Sequence, residues 1–386
     1  MGAFSALAEC AGLRSFRAAA KFCPSLSEQA HEKPPDLRAS SRYEACSLRL
    51  PDDWRHEAVM RVLIAYDGSQ CAESALDDLI HAGLPHKGEA LIVTVGEVWL
   101  PPPPPSAYEI VEMAKADSPL ALERKYQENS DVVKTASAMA ARAAARFSSN
   151  FPQWKVSHEA LWGSPSWELH SKAEAWKADL IVVGSHGRSA FGRFFLGSIS
   201  QWLLTEARCS VRVARGKLDE PDFPVRLLLG HDGSRNAQRA LEEIAARTWP
   251  AMSEVRVVTV DQPLEATVVG SAMPPLTASI AEFNRQEHVR LQRLVERAAE
   301  KLRDTGLRAA AEVINGDPKQ VLVRMAEDWR ADCIFVGATG VSNRLERFLL
   351  GTVAGAVAAR AHCSVEVVRS RKRTRKAKAN GNGNRG

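Results

Sequence analysis

Ala173-Glu174-Ala175-Trp176-Lys177-Ala178-Asp179-Leu180-Ile181-Val182-Val183-Gly184 returns as Ala326-Glu327-Asp328-Trp329-Arg330-Ala331-Asp332-Cys333-Ile334-Phe335-Val336-Gly337. In both stretches an Ala-Asp pair leads into an uninterrupted apolar run closed by glycine, the pattern of a short strand covered on both faces. Each runs into a glycine loop: Gly184, Gly187, then Gly197 with Ser198, and Gly337, Gly340, then Gly351 with Thr352. The chain is therefore read as duplicated, with one ligand pocket per copy.

Outward from these stretches the pattern is strand, turn, helix, repeatedly. Arg61 to Tyr66 is a short apolar run ending in Asp67, Gly68, Ser69, after which Ala72, Ala75, Leu76, Leu79 and Ile80 recur at helical spacing. Leu91 to Val95, Val156 to Leu161, Leu180 to Val183 and Ser210 to Ala214 supply four more strands. The second half repeats the order. Arg226 to Gly230 leads into Asp232, Gly233, Ser234, followed by strands at Val255 to Val260, Ala310 to Ile314, Cys333 to Val336 and Ser364 to Val368. Fully apolar strands alternating with amphipathic helices predict a parallel α/β sheet with helices on both faces.

Gly184 to Gly337 is an offset of 153 and Cys209 to Cys363 one of 154, whereas Asp67 to Asp232 is 165. The dozen-residue difference is read as extra length in the second copy, around Asp261 to Glu282. The first copy has its own insert, the five prolines Pro101 to Pro105. They favour a stiff polyproline II segment: a rigid loop over the pocket, with a docking strip for an aromatic groove in a partner as the alternative.

The 386 residues, 45% of them apolar, suit two domains with ordinary cores. No run approaches the eighteen or so consecutive apolar residues of a spanning helix, so the expectation is a chain without a membrane span, in the cytoplasm. Its seven cysteines include no CxxC pair and read as free thiols of a reducing compartment. The net charge of +5 resides in the end of the chain, because residues 371–386 hold seven Lys or Arg and no acid. That tail reads as a solvated polyelectrolyte, with weak contact to nucleic acid or an anionic surface as the sharper alternative. Residues 1–57 lack sustained periodicity and read as a poorly ordered extension. The expected domains are therefore 58–216 and 224–370.

The glycine loop carries the strongest chemical signal. Gly184 lets the backbone turn, Gly187 permits approach of a bulky anion, and Gly197 with Ser198 opens a helix whose first amides attract phosphate. Gly337, Gly340, Gly351 and Thr352 repeat the arrangement. In an open parallel sheet the ligand crevice lies beyond the carboxyl ends of the strands, so Asp67 and Asp232 should face it, as acceptors from a base or ribose or as helix caps. There is no GxxxxGK[ST], no GxGxxG after strand one, no HExxH and no GxSxG. His186 and His231 lie near the crevice without a counterpart histidine in the other copy and are read as incidental. Arg188, Arg193, Arg344 and Arg347 are candidates for steering phosphate or for simple solvation.

These residues resemble the universal stress protein family in its tandem two-domain form. The matching pieces are Asp67 to Ser69 and Asp232 to Ser234, the Ala-Asp-apolar strand, and the loop. The family's nucleotide-binding loop reads Gly, two residues, Gly, nine residues, Gly, then Ser or Thr. The first copy fits; the second has ten residues between Gly340 and Gly351. The resemblance implies two Rossmann-like, doubly wound domains of five parallel strands each, whose fifth strands pair antiparallel as an internal pseudo-dimer open to further self-association. It also implies ATP, with or without Mg2+, as the ligand, with Asp67 and Asp232 on the adenosine side and the backbone near Val95 and Val260 lining the base. The function expected is that of a nucleotide-binding regulator of stress survival. The alternatives are a slow ATPase or nucleotidyl-transfer enzyme and a nucleotide-free scaffold.

Overall fold

The structure is a computed structural model, and it describes residues 59–96, 119–186, 196–215, 223–265, 274–340 and 350–369. The expectations placed on residues 1–57, on Pro101 to Pro105, on Gly187, on the four loop arginines and on the basic tail lie outside them. The first half comprises β1 (Met60–Ala65), α1 (Gln70–Asp78), β2 (Gly88–Gly96), α2 (Pro119–Asn150), β3 (Lys155–Trp162), α3 (Pro165–Trp176), β4 (Leu180–Gly184), α4 (Ser198–Glu206) and β5 (Ser210–Ala214). The second comprises β6 (Arg226–Gly230), α5 (Arg235–Ala246), β7 (Glu254–Asp261), α6 (Pro274–Arg303), β8 (Arg308–Asn315), α7 (Pro318–Asp328), β9 (Cys333–Gly337), α8 (Thr352–Arg360) and β10 (Ser364–Val368). Among the described residues no helix is long and apolar enough to cross a membrane.

All ten strands belong to one sheet, in the order β3-β2-β1-β4-β5-β10-β9-β6-β7-β8. Neighbours are parallel except at the centre, where β5 and β10 run antiparallel with Val213 opposite Val365, Arg212 opposite Glu366 and Val211 opposite Val367. The expected pseudo-dimer is thus a continuous sheet. Its two faces are covered differently. On one, a single core joins Leu63, Ile181 and Val211 of the first half to Leu228, Ile334 and Val365 of the second. On the other, each half keeps its own core: Val62, Ile64, Leu79, Phe147 and Trp154 in the first, Leu227, Leu229, Ile244, Val295 and Phe335 in the second.

The expectation of fully apolar strands fails at this central seam. Arg212 and Glu366 are 1% and 0% exposed in the middle of β5 and β10. The Arg212 guanidinium donates from Nε to Asp78 Oδ2 at 2.6 Å and from Nη1 to Glu366 Oε2 at 3.2 Å. Arg247, just beyond α5, holds both carboxylate oxygens of Glu366, with Nη1 to Oε2 at 2.9 Å. Ser364 Oγ donates to Asp78 Oδ1 at 2.6 Å. Two guanidinium and two carboxylate groups balance, which is what permits charge at such depth. They also pin α1 of the first half to β10 of the second. Within this cluster the Cys333 thiol is pushed far above its usual range, chiefly by burial.

The length difference between the copies also runs opposite to the expectation. From the end of β2 to the start of α2 the first copy spends residues 97–118, whereas from the end of β7 to the start of α6 the second spends only 262–273. The first copy is the longer one, and the proline run falls inside its excess.

Candidate functional site

Both halves start their site with the same turn. Asp67 Oδ1 and Asp232 Oδ1 each accept from the backbone N–H two residues on, at 2.9 Å, from Ser69 and Ser234. Gly68 and Gly233 take φ of 73° and 80°, values that a side chain disfavours. Ser69 Oγ and Ser234 Oγ then cap α1 and α5, accepting from Ala72 N at 3.1 Å and Ala237 N at 3.2 Å. The serine is therefore the cap, each aspartate braces the turn with one oxygen, and the second oxygen of Asp232 lies at the cleft beside Gly340.

The strand order reverses between β1 and β4, and again between β6 and β9, each time leaving a gap at the carboxyl ends of the strands. In the second half this gap is a cleft of about 490 Å³. It brings together Asp232, Val260, Gly337, Gly340, Gly351 and Thr352, all six second-copy residues singled out by sequence. The added residue between Gly340 and Gly351 does not separate the two glycines from the cleft. In the first half Asp67 stands two residues past the end of β1, Val95 on β2, Gly184 at the end of β4, and Gly197 and Ser198 at the start of α4.

The glycines differ in what they accommodate. A Cβ on Gly340 would lie 2.7 Å from Asp232 Oδ2, inside the cleft. On Gly351 it would lie 3.0 Å from the carbonyl oxygen of Ala338. Gly337 and Gly184 face elsewhere: their Cβ positions meet the backbone at the start of α5 (Ala237 N, 2.7 Å) and α1 (Cys71 C and O, 3.0 Å). These two glycines let the first helix of each half lie directly on the fourth strand. The backbone turn expected at Gly184 is thus accompanied by a packing demand that sequence did not reveal.

The helix starts behind the loops are alike. Gly197 and Gly351 are the N-caps of α4 and α8, with no side-chain cap. By contrast, α1, α5 and α7 are capped by Ser69, Ser234 and Asp317. Gly197 N and Gly351 N themselves donate to Ser185 O at 2.8 Å and Ala338 O at 2.6 Å, which fastens the returning loop. First-turn amides uncapped by a side chain are donors for an anion.

Two titratable groups distinguish the crevices. His231 lines the second cleft at 3% exposure, and neither ring nitrogen makes a hydrogen bond of acceptable geometry, although the Gln238 side chain lies beside the ring. Burial lowers its pKa, opposed by the neighbouring Asp232. The first half has Tyr66 at this position, and there the hydroxyl is engaged by Glu73 and, at 3.4 Å, by Arg142 Nη2. His186 is also lowered, by burial and then by Arg215, and its Nδ1 lies 3.0 Å from Ser185 Oγ. Sequence reasoning passed over Asp261, a buried cleft residue whose Oδ2 is 3.0 Å from His288 Nδ1. Its position at the end of an apolar strand was the available signal.

Comparison with known proteins gives a consistent picture. The model of the universal stress protein family matches residues 59–215 and again 225–369. A universal stress protein of Bacillus subtilis is 26% identical over 148 residues, 98% of its own length and 37% of this chain. One of Methanocaldococcus jannaschii is 38% identical over 90 residues, 23% of this chain, and the chain spans about half of that relative, 51%. The crystal structure of a universal stress protein from Archaeoglobus fulgidus superposes with a TM-score of 0.52 at 18% identity, covering 80% of this chain and 98% of that one, a likeness of fold.

Proposed function

The chain belongs to the universal stress protein family in tandem form, and from that premise we propose that it is a cytoplasmic regulator that binds adenine nucleotide, ATP with or without Mg2+. The observation that carries the reading is the second cleft. Its volume of about 490 Å³ falls within the usual span of small-molecule sites. The Asp232 carboxylate beside Gly340, the glycine-capped helix start and the missing Cβ atoms suit a ligand with a polar ring end and an anionic tail.

In this reading Gly340 and Gly351 leave the main chain open to the phosphates, and the Thr352 hydroxyl adds a donor at the start of α8. Asp232 accepts from the ribose, and the backbone at Val260 borders the base. Asp67, Val95, Gly184, Gly187, Gly197 and Ser198 do the same in the first half. Occupancy alters the surface offered to partners.

Equilibrium binding of a fluorescent ATP analogue tests the reading. Gly340→Val places its side chain against Asp232 Oδ2, and this variant is expected to lose at least about tenfold in affinity at one site, a cost of about 1.4 kcal/mol. Gly187→Val is expected to do the same at the other. Unchanged affinity and stoichiometry in both variants would overturn the proposal. Gly337 is unsuitable for the test, because filling its contact with Ala237 disturbs the fold itself.

A further inference from the structure

Trp162 ends β3 and Trp167 lies in the first turn of α3, and the two are 58% and 60% exposed. Large apolar side chains grouped at one turn mark a contact surface. Trp167 is braced from within: it lies 6.3 Å from His170, centroid to centroid, and His170 meets Trp202 edge-on at 5.4 Å. Trp202 in turn packs on the shared core. A braced row of aromatic rings is the chemistry that receives a polyproline II segment, whose stiffness keeps the ordering cost small.

The second half builds the same turn without the rings. Gly96 pairs in register with Trp162 as Asp261 pairs with Asn315, and α3 and α7 both open on proline, at Pro165 and Pro318. The residues matching Trp162 and Trp167 are thus Asn315 and Gln320. The second half also has no run of five prolines, whereas the first carries Pro101 to Pro105. The exposed tryptophan pair and the run of five prolines occur together in one copy, and the other copy has neither at the matching places.

Chain connectivity allows the prolines to reach this place. Gly163 N donates to Gly96 O at 3.2 Å, so β2 ends directly beside Trp162. Pro101 follows Gly96 by five residues, a reach of up to about 17 Å at about 3.4 Å per residue. Five prolines in polyproline II extend over about 15 Å. We infer that Trp162 and Trp167 form a docking surface whose occupant is the polyproline run Pro101 to Pro105 of the same chain. This holds whether or not nucleotide binds.

The test uses the full chain labelled with 5-fluorotryptophan, whose nine tryptophans give nine fluorine resonances. Trp162→Phe and Trp167→Phe identify the two of interest. Replacing Pro101 to Pro105 together by serine is expected to move those two resonances toward the solvent-exposed position and, Trp99 beside the replaced run apart, to leave the others in place. A pentaproline peptide added to the unaltered chain is expected to move neither. The inference is overturned if the serine replacement leaves both resonances where they were. It is equally overturned if the peptide shifts them in the unaltered chain, since the surface would then be vacant and suited to an outside partner.

Discussion

Replacing Glu366 by leucine is the most informative perturbation of the fold. In the native seam the charges of Arg212 and Arg247 are matched by those of Glu366 and Asp78, all at side-chain exposures of 7% or less. Glu366→Leu leaves two buried guanidinium groups with one carboxylate. Arg212 retains Asp78, and Arg247 retains the carbonyl of Ala82 at 3.0 Å. Breaking a buried pair by removing one partner costs about 3–5 kcal/mol, most of it the burden of the stranded charge. Removing Arg247 as well, in Glu366→Leu with Arg247→Leu, restores neutrality around the Arg212 and Asp78 pair. The double variant is therefore expected to be more stable than Glu366→Leu alone, with a coupling of up to about 3 kcal/mol. Urea unfolding of the wild type, both single variants and the double variant measures the cycle. A loss below about 1 kcal/mol for Glu366→Leu, or costs that simply add, would refute the account of a charge-balanced seam.

Three further outcomes are expected. Because burial lowers the pKa of His231 below the unfolded value of about 6.5, the unfolded chain takes up the proton first, so stability is full above that value and falls as pH drops beneath it. His186 acts in the same direction. Urea unfolding at about pH 7.5 and about pH 5.5 should show a smaller fall in His231→Gln than in wild type, and equal falls would contradict the assignment. Gly88→Ala should destabilise by about 1–3 kcal/mol, since its Cβ would lie 2.5 Å from a Trp154 ring that is fixed by a 2.9 Å bond from Nε1 to Pro85 O. A melting curve matching wild type would show that the ring yields. Native maleimide labelling followed by peptide mapping should spare Cys333, Cys209 and Cys363, which are buried, while reaching Cys71 sooner; early modification of Cys333 would mean that the seam opens readily.

Much of the architecture could be read from the sequence because it is written in local periodicity. The strands at Ser210–Ala214, Arg226–Gly230 and Ser364–Val368 end where the apolar runs end. The strands β2, β3, β7 and β8 extend further than expected, since backbone pairing continues into polar residues such as Lys155, Glu254 and Arg308. That the six second-copy residues gather round one cleft is legible because they recur in a repeated pattern. What escaped was non-local. The demand for glycine at Gly337 comes from Ala237, a hundred residues earlier, and leaves no trace near the loop. The seam charges left a trace that was misread: a lone arginine in SVRVA and a lone glutamate in SVEVV, opposite in sign at matching places. The dozen-residue difference shows in the offsets and belongs to the first copy, where Asp67 to Gly184 spans 117 positions against 105 from Asp232 to Gly337.

Arg212 and Glu366 occupy equivalent places in the two repeats, and in the folded chain they face one another. An ancestor that paired two identical copies about this axis would have set any residue here against itself. Arginine would have met arginine, or glutamate glutamate, in the driest part of the molecule. Covalent fusion brings the mixed pair together each time the chain folds. With both repeats in one chain, the two crevices can carry different residues, as Tyr66 and His231 do, without either losing its companion.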